Sequence, residues 1–291
     1  MSAVNQKVVL ITGGGRGVGA EVARRLHERG ANLLLTDVDE GALAEIGAEL
    51  GKDRVLTVVA DVRDLNAMKA AVAAAVDRFG GVDIVVANAG ISTYGSVLKV
   101  DPEAFRLLVD INIVGVFNTV RAALPSVIDR RGYVLIVSSA AAFAASAGLA
   151  PYDTSKAGVE HFANALRLEV AHLGVDVGSG HMLWIDTPLV QDAKSDLPSF
   201  RKMLDAMPGP LGKTTSVEAC GKAFVKGIEA RKRYVYCPGY VSLLRWLKPL
   251  LSTRLLEPGV SKAVPELLPQ MDAEVEALGR SLSARTKDVE K

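Results

Sequence analysis

The apolar run Val8–Thr12 ends in Thr12-Gly13-Gly14-Gly15-Arg16-Gly17-Val18-Gly19, and a helical pattern begins at once. A buried strand that turns through glycines directly into a helix is the opening of a βαβ unit. Glycines at such a turn let the backbone approach a pyrophosphate, and the helix N-terminus faces the anion. The spacing here is TGxxxGxG, and its place after the first strand supplies the context the motif requires. Short β-branched or leucine-rich runs then alternate with longer helical stretches, which predicts a parallel sheet. The predicted strands are Val8–Thr12, Asn32–Thr36, Val55–Val59, Ile84–Ala87, Tyr133–Val137, Val175–Val177 and Tyr234–Tyr236. The predicted helices are Val18–Arg29, Leu65–Phe79, Pro102–Leu124, Pro151–His172 and Ser216–Ala230. No repeat or linker divides this core. One domain is expected over 1–240, followed by an extension over 241–291.

Composition excludes several classes of function. The net charge is +1 with both signs interspersed, unlike the basic face of a nucleic-acid binder. Cys220 and Cys237 have no metal-ligand spacing and read as reduced thiols, so no metal is expected. Met1–Lys7 leads straight into a strand without the pattern of a secretory signal, and the cytoplasm is the expected compartment.

The second strand ends at Thr36-Asp37, close to ~20 residues beyond the glycines, where a carboxylate can accept hydrogen bonds from ribose hydroxyls and repel a 2′-phosphate. Asp37 therefore argues for NAD(H). Arg16, in the glycine loop, argues for NADP(H), because a guanidinium there could pair with that phosphate. Asp61-Val62 after the third strand could hold an adenine edge. Asn88-Ala89-Gly90 after the fourth permits close packing of loop and cofactor.

Pro151-Tyr152-Asp153-Thr154-Ser155-Lys156 places a phenol and an ammonium four residues apart, on one face of a helix. A free phenol, with a pKa near ~10, is a poor base at neutral pH. A nearby positive charge is expected to favour the phenolate and make Tyr152 a usable proton acceptor or donor.

Taken in order, Thr12 to Gly19, Asp61, Asn88-Ala89-Gly90, Asn112, Ser139 and the Tyr152/Lys156 pair resemble the short-chain dehydrogenase/reductase family over roughly residues 7–240. Asn112 precedes Ser139 by 27 residues and Ser139 precedes Tyr152 by 13, separations similar to the family's own. The resemblance implies a Rossmann-type, doubly wound, seven-stranded parallel sheet with helices on both faces. It implies Tyr152 as general acid/base, and Lys156 as the group that lowers its pKa and anchors the nicotinamide ribose. Ser139 would hydrogen-bond the substrate oxygen, and Asn112 would hold a water linking Lys156 to solvent. Cofactor contacts are implied at Gly13, Gly15, Arg16, Gly17, Val18, Gly19, Asp37, Asp61, Val62, Asn88, Ala89, Gly90, Tyr152, Lys156, Ile185 and Thr187. Ser138 would be structural. A homodimer or homotetramer is implied too.

One departure stands out. Alignment through Ile185-Asp186-Thr187-Pro188 puts Met182-Leu183 where family members usually carry Pro-Gly, and Leu183 brings bulk and loses glycine's backbone freedom. His181 and Trp184 flank the change, and His181 is expected to be packed or at the rim of the site.

Beyond the sixth strand, 188–213 reads as a lid, a long loop in which Pro198, Pro208, Gly209 and Pro210 interrupt helix formation. With Phe143, Leu149 and Trp184 it would line a pocket for an apolar secondary alcohol or its ketone, alicyclic or steroid-like. The extension sets Leu243, Leu244, Trp246, Leu247, Leu250 and Leu251 beside Arg245, Lys248 and Arg254. That pattern fits a helix packed on the core or on a neighbouring subunit; a membrane-surface helix is the less favoured alternative. Val264–Lys291 reads as solvated helix with a frayed end.

The favoured reading is an NAD(H)-dependent oxidoreductase acting on a small-molecule alcohol or ketone. An NADP(H)-dependent ketoreductase and a dinucleotide-binding sensor or scaffold without turnover are the alternatives.

Overall fold

The computed structural model describes residues 2–251, 253 and 262–287. Seven strands form one sheet: β1 (Val8–Thr12), β2 (Asn32–Asp37), β3 (Val55–Val59), β4 (Ile84–Ala87), β5 (Tyr133–Val137), β6 (Asp176–Met182) and β7 (Tyr234–Cys237). They lie in the order β3-β2-β1-β4-β5-β6-β7, every pairing parallel. The order reverses between β1 and β4, so a crevice opens there beyond the C-terminal strand ends, the usual ligand position in such sheets.

Alternation along the strands sends side chains into two separate cores. Leu10, Leu34, Val85, Val134 and Ile136 meet α3 (Leu65–Phe79), α4 (Pro102–Val109), α5 (Gly115–Asp129) and α6 (Ala150–Val170). Val9, Ile11, Leu33, Leu35, Val86 and Leu135 meet α1 (Gly17–Glu28), α2 (Glu40–Leu50) and α9 (Val217–Glu229). Both faces being apolar explains why the strands read as continuous hydrophobic runs.

Three elements differ from the sequence reading. Helix α2 was not expected; it begins where Asp39 accepts a hydrogen bond from the Ala42 N–H at 2.8 Å, a side-chain N-cap. Strand β6 extends to Met182 instead of stopping at Val177, although Gly178, Ser179 and Gly180 carry no β-branched signal. Small residues are needed there. A Cβ at Gly178 would stand 2.2 Å from the Lys232 carbonyl and the Tyr133 hydroxyl, and one at Gly180 would stand 2.8 Å from Phe224. The lid is not an irregular loop: Pro188 and Pro198 each open a short helix, α7 (Pro188–Asp196) and α8 (Pro198–Ala206). Proline at the first helical turn loses no hydrogen bond, so Pro198 starts a helix where it was expected to interrupt one.

The helical run Pro102–Asp129 is long and apolar enough to cross a membrane. Half of its apolar window is buried in the fold, and along the run Leu107, Leu108, Val116, Val120 and Val127 are buried.

After β7 come α10 (Val241–Leu251) and α11 (Val264–Leu278), and then the short α12 (Ala284–Lys287). Arg254, and the end of the expected tail at 288–291, lie outside the described residues. Helix α11 is not the solvated helix the sequence suggested. Met271 and Val275 are buried with Tyr94, Val190, Leu197, Phe200 and Leu204, so the tail shares a core with the lid. Beyond it, Leu282 pairs with Thr93 in an antiparallel bridge.

Candidate active site

The crevice at the reversal is a cleft of about 1080 Å³. At its floor, the Thr12 hydroxyl accepts the backbone N–H groups of Asn88 and Ala89, both at 3.1 Å. The Asn88 amide donates to the carbonyls of Thr12 (3.0 Å) and Gly13 (3.1 Å). The glycine turn is thereby clamped to the end of β4. Gly13 and Gly17 have φ of +62° and +54°, a left-handed conformation that glycine adopts freely.

Of the sixteen residues expected to touch a dinucleotide, Gly13, Arg16, Gly17, Val18, Asp37, Asp61, Val62, Asn88, Ala89, Gly90, Tyr152, Lys156, Ile185 and Thr187 line this cleft. Gly15 and Gly19 do not form its wall. A Cβ on Gly19 would fall 2.1 Å from the Gly13 carbonyl oxygen, so its small size lets the start of α1 pack on the turn. Gly15 places the carboxylate expected at the ribose: its N–H donates to Asp37 Oδ2 at 3.0 Å. The Asp37 carboxylate also accepts from the Asp39 N–H at 3.2 Å.

Arg16 is engaged with Asp39, which the sequence reading had not singled out. Asp61 is similarly paired with Arg63 at 2.6 Å. The acidic residue two positions beyond each expected contact, or the basic one, was visible in the sequence; which partner it chose was not.

The other end of the cleft holds Ser139, Tyr152 and Lys156. Tyr152 and Lys156 project from the first two turns of α6, with the Lys156 Nζ 5.5 Å from the centre of the phenol ring. The Lys156 ammonium donates to the Val137 carbonyl at 3.2 Å. Ser138 donates to the Lys156 carbonyl at 2.9 Å, locking the end of β5 to α6. Ser139 follows it on the cleft side; its hydroxyl donates to the Met182 carbonyl at 3.3 Å and accepts from Ala141 N–H at 3.2 Å.

Asn112 lies in a π-helical turn, Asp110–Val114, between α4 and α5. It is fully buried and stands behind the cleft wall. Its Oδ1 accepts from Ile91 N–H at 2.8 Å, and its Nδ2 donates to the Ile91 carbonyl at 2.9 Å and to Ser155 Oγ at 3.0 Å. Ser155 in turn donates to the Tyr152 carbonyl at 2.8 Å. A Cβ on Gly90 would meet Asn112 Oδ1 at 3.1 Å and Lys156 Nζ at 3.4 Å, so this glycine keeps open the space between amide and ammonium.

The expectation that Lys156 lowers the Tyr152 pKa is not met by the protein's own groups. Burial pushes Tyr152 up to about 12; the Ser139 hydrogen bond opposes this and the Asp153 carboxylate adds to it. Burial also pushes Lys156 down to about 8. Desolvation is the largest cause of both shifts.

Asp153 was passed over in the sequence, although it stands inside the quoted motif. It is buried on the cleft wall, accepts from Ser146 N–H at 2.7 Å, and burial raises its carboxyl to about 7. Tyr94 is a second omission. It is buried between lid and tail, and burial raises its pKa well above the usual range for a phenol.

The substituted wall at Met182-Leu183 is accommodated without glycine. Leu183 N–H continues the sheet by donating to the Cys237 carbonyl at 3.0 Å, and Leu183 is absent from the residues with positive φ. Its side chain joins Phe143 and Val241 in a small apolar cluster. His181 is a packed residue. It is fully buried, 4.4 Å from Phe143 and 5.7 Å from Tyr236 between ring centres, with Nε2 2.9 Å from a Glu160 carboxylate oxygen.

The family profile described as short chain dehydrogenase matches residues 7–198, two-thirds of the chain and the whole of the glycine turn, Ser139 and the Tyr152/Lys156 pair. The chain belongs to the short-chain dehydrogenase family. It is an oxidoreductase of that family, whose members bind a nicotinamide dinucleotide. Similar sequences include trans-4-hydroxycyclohexanecarboxylate dehydrogenase of Sinomonas cyclohexanicum, 38% identical over 66% of this chain and 77% of the relative. Another is (-)-trans-carveol dehydrogenase of Rhodococcus erythropolis, 36% identical over 66% of this chain and 76% of the relative. Among solved structures, 3-ketoacyl-(acyl-carrier-protein) reductase of Brucella melitensis, complexed with NADH, superposes with a TM-score of 0.71. It is 29% identical over 79% of this chain and 96% of that one. A short-chain dehydrogenase/reductase of Mycobacterium marinum gives 0.74 at 25% identity over 82% and 96%.

Proposed function

We propose that this short-chain dehydrogenase is NAD(H)-dependent and interconverts an apolar alicyclic secondary alcohol and its ketone. The observation that carries the cofactor assignment is the pair of carboxylates beyond β2. Asp37 is held by the glycine turn where the ribose hydroxyls are expected, and Asp39 occupies the guanidinium of Arg16 that could otherwise meet a 2′-phosphate. The NADH complex of the Brucella reductase agrees with this reading. The residues fit a dinucleotide: the Gly13 and Gly17 turn opens into the cleft, and the α1 N-terminus faces it. Bound there, the nicotinamide supplies the hydride acceptor or donor and, when oxidised, a positive charge that favours the Tyr152 phenolate.

The chain's own residues supply the rest. Tyr152 exchanges the proton with the substrate oxygen, and Ser139 donates to that same oxygen as charge develops on it. Lys156 holds the ribose side of the cofactor and adds positive charge behind the phenol. Asn112 fixes the Ile91 turn and, through Ser155, the backbone beneath Tyr152. Leu149, Trp184, Val190, Phe200, Met203 and Met271 give the substrate end an apolar wall that excludes water. The two similar dehydrogenases are named for cyclic alcohols; the first also carries a carboxylate, so it is the ring alone that this wall suits.

Initial rates with NAD⁺ and with NADP⁺ over a panel of alicyclic and linear secondary alcohols, followed by nicotinamide absorbance, test the proposal. Higher kcat/KM with NAD⁺ and with ring alcohols is expected. A higher value with NADP⁺ would overturn the cofactor assignment, and a preference for charged or linear alcohols would overturn the substrate class.

A further inference from the structure

Helix α10 lies beside the mouth of the cleft with two apolar edges. One edge is used: Val241 and Leu244 join the Phe143 cluster, and Leu244 and Leu251 line the cleft itself. The other edge, Leu243, Trp246 and Leu250, follows the i, i+3, i+7 spacing of a single helical face and stands in solvent at 57%, 75% and 51% exposure. The expected packing on the core thus accounts for only half of this helix. Across the start of α11, the loop after β4 exposes Val97 and Leu98, at 76% and 91%. Leu98 lines a shallow groove with Val264 and Leu268, and those two residues also line the cleft. Exposed apolar side chains therefore lie on both flanks of one opening that leads to an apolar chamber.

We infer that this rim docks on a lipid surface and that the cleft takes its alcohol or ketone from that surface. A second copy of the chain seated across both flanks would cap the opening, whereas a lipid surface would deliver apolar solutes into it. The charges agree. Helix α10 contains Arg245 and Lys248 and no acidic residue, and the exposed Lys262 stands at the mouth. Arg245 is held over the Tyr234 ring at 3.9 Å and hydrogen-bonded to its hydroxyl, which fixes a cation at the root of the helix. An indole beside basic residues is the composition of an interfacial helix, and two weak signals, an apolar stripe and cations, are needed together for stable attachment.

The test is flotation of the full chain with vesicles, read without turnover, so that it succeeds or fails independently of the cofactor and substrate assignments. Vesicles of phosphatidylcholine with one-third phosphatidylglycerol should carry the protein upward; pure phosphatidylcholine should carry less, since each lysine near an anionic surface is worth roughly fivefold in partition. The double variant Trp246→Ser/Leu250→Ser should lose at least tenfold in bound fraction and Lys248→Glu a few-fold. Both should keep the parent's circular dichroism and thermal midpoint, which shows that they fold. A parent protein that stays at the bottom of the gradient overturns the inference, as does a double variant that floats equally well. A parent that sediments as a dimer through this face, becomes monomeric in the double variant and ignores vesicles assigns the rim to a second copy instead.

Discussion

The guanidinium of Arg16 rests on the carboxylate of Asp39, two residues beyond Asp37, at the entrance to the ribose end of the cleft. The sequence set Arg16 and Asp37 against each other as votes for two cofactors. The pairing with Asp39 removes one of the votes.

Releasing Arg16 should therefore shift cofactor choice. Asp39→Asn keeps an N-cap oxygen for Ala42 and deletes the charge that engages the guanidinium. The kcat/KM with NADP⁺ should rise about tenfold, about 1.4 kcal/mol, with a smaller change for NAD⁺. Asp37→Ala should weaken NAD⁺ by a similar factor. Steady-state kinetics with both cofactors check the pair.

Tyr152→Phe should lower kcat by about 10²–10⁴-fold while leaving dinucleotide affinity within a few-fold, because the phenol oxygen handles the proton and the ring stays in place. Burst-free kinetics and cofactor titration by fluorescence measure the two effects separately. Equal rates would remove Tyr152 from the mechanism.

Asp153→Asn should move the pH profile of alcohol oxidation. The Asp153 carboxylate raises the Tyr152 pKa, so its neutralisation must lower that pKa and shift the rising limb of log kcat/KM, along which the phenolate forms, towards acid. The kinetic profile of the variant against the parent from pH 6 to 11 gives the direction.

The same substitution should affect stability with a definite sign. Folding raises the Asp153 carboxyl from its usual 3.8 to about 7, so the native state binds this proton more tightly than the unfolded chain. Its contribution to stability is fully present below pH ~4 and is lost as pH rises through 7. The Asn variant should match the parent near pH 4 and melt at a higher temperature at pH 8. Thermal scans at the two pH values decide it.

Gly178→Ala should destabilise the fold by about 1–3 kcal/mol or more, the usual cost of forcing extra volume into a packed core. The added methyl would meet a backbone oxygen at 2.2 Å, which no rotamer change relieves. The midpoint of urea unfolding reports the loss.

What could be read from the sequence follows the range of the forces involved. Strands β2, β1, β4 and β5 are written as dense apolar runs, because both sides of a parallel sheet are buried. Strand β6 was cut short because its small residues are dictated by Tyr133, Phe224 and Lys232, which are distant in the chain. Helix α2 was missed although Asp39 caps it, and the lid was read as loop because proline at a first turn looks the same in sequence as proline at a break. The positions of Ser139, Tyr152 and Lys156 followed from spacing. The raised Tyr152 and Asp153 values did not, since they come from how much water the folded cleft removes. The tail was read as solvated because Met271 and Val275 are buried only by the lid residues that pack against them.

Leu282 sits beside Thr93, so the end of the described chain is stitched to the loop that follows β4, far beyond residue 198 where the match to the family profile ends. The reacting groups and the chamber that selects what reaches them are thus written in different stretches of the gene product. Replacement of the last fifty residues can alter which molecules are accepted and leave the chemistry performed on them untouched.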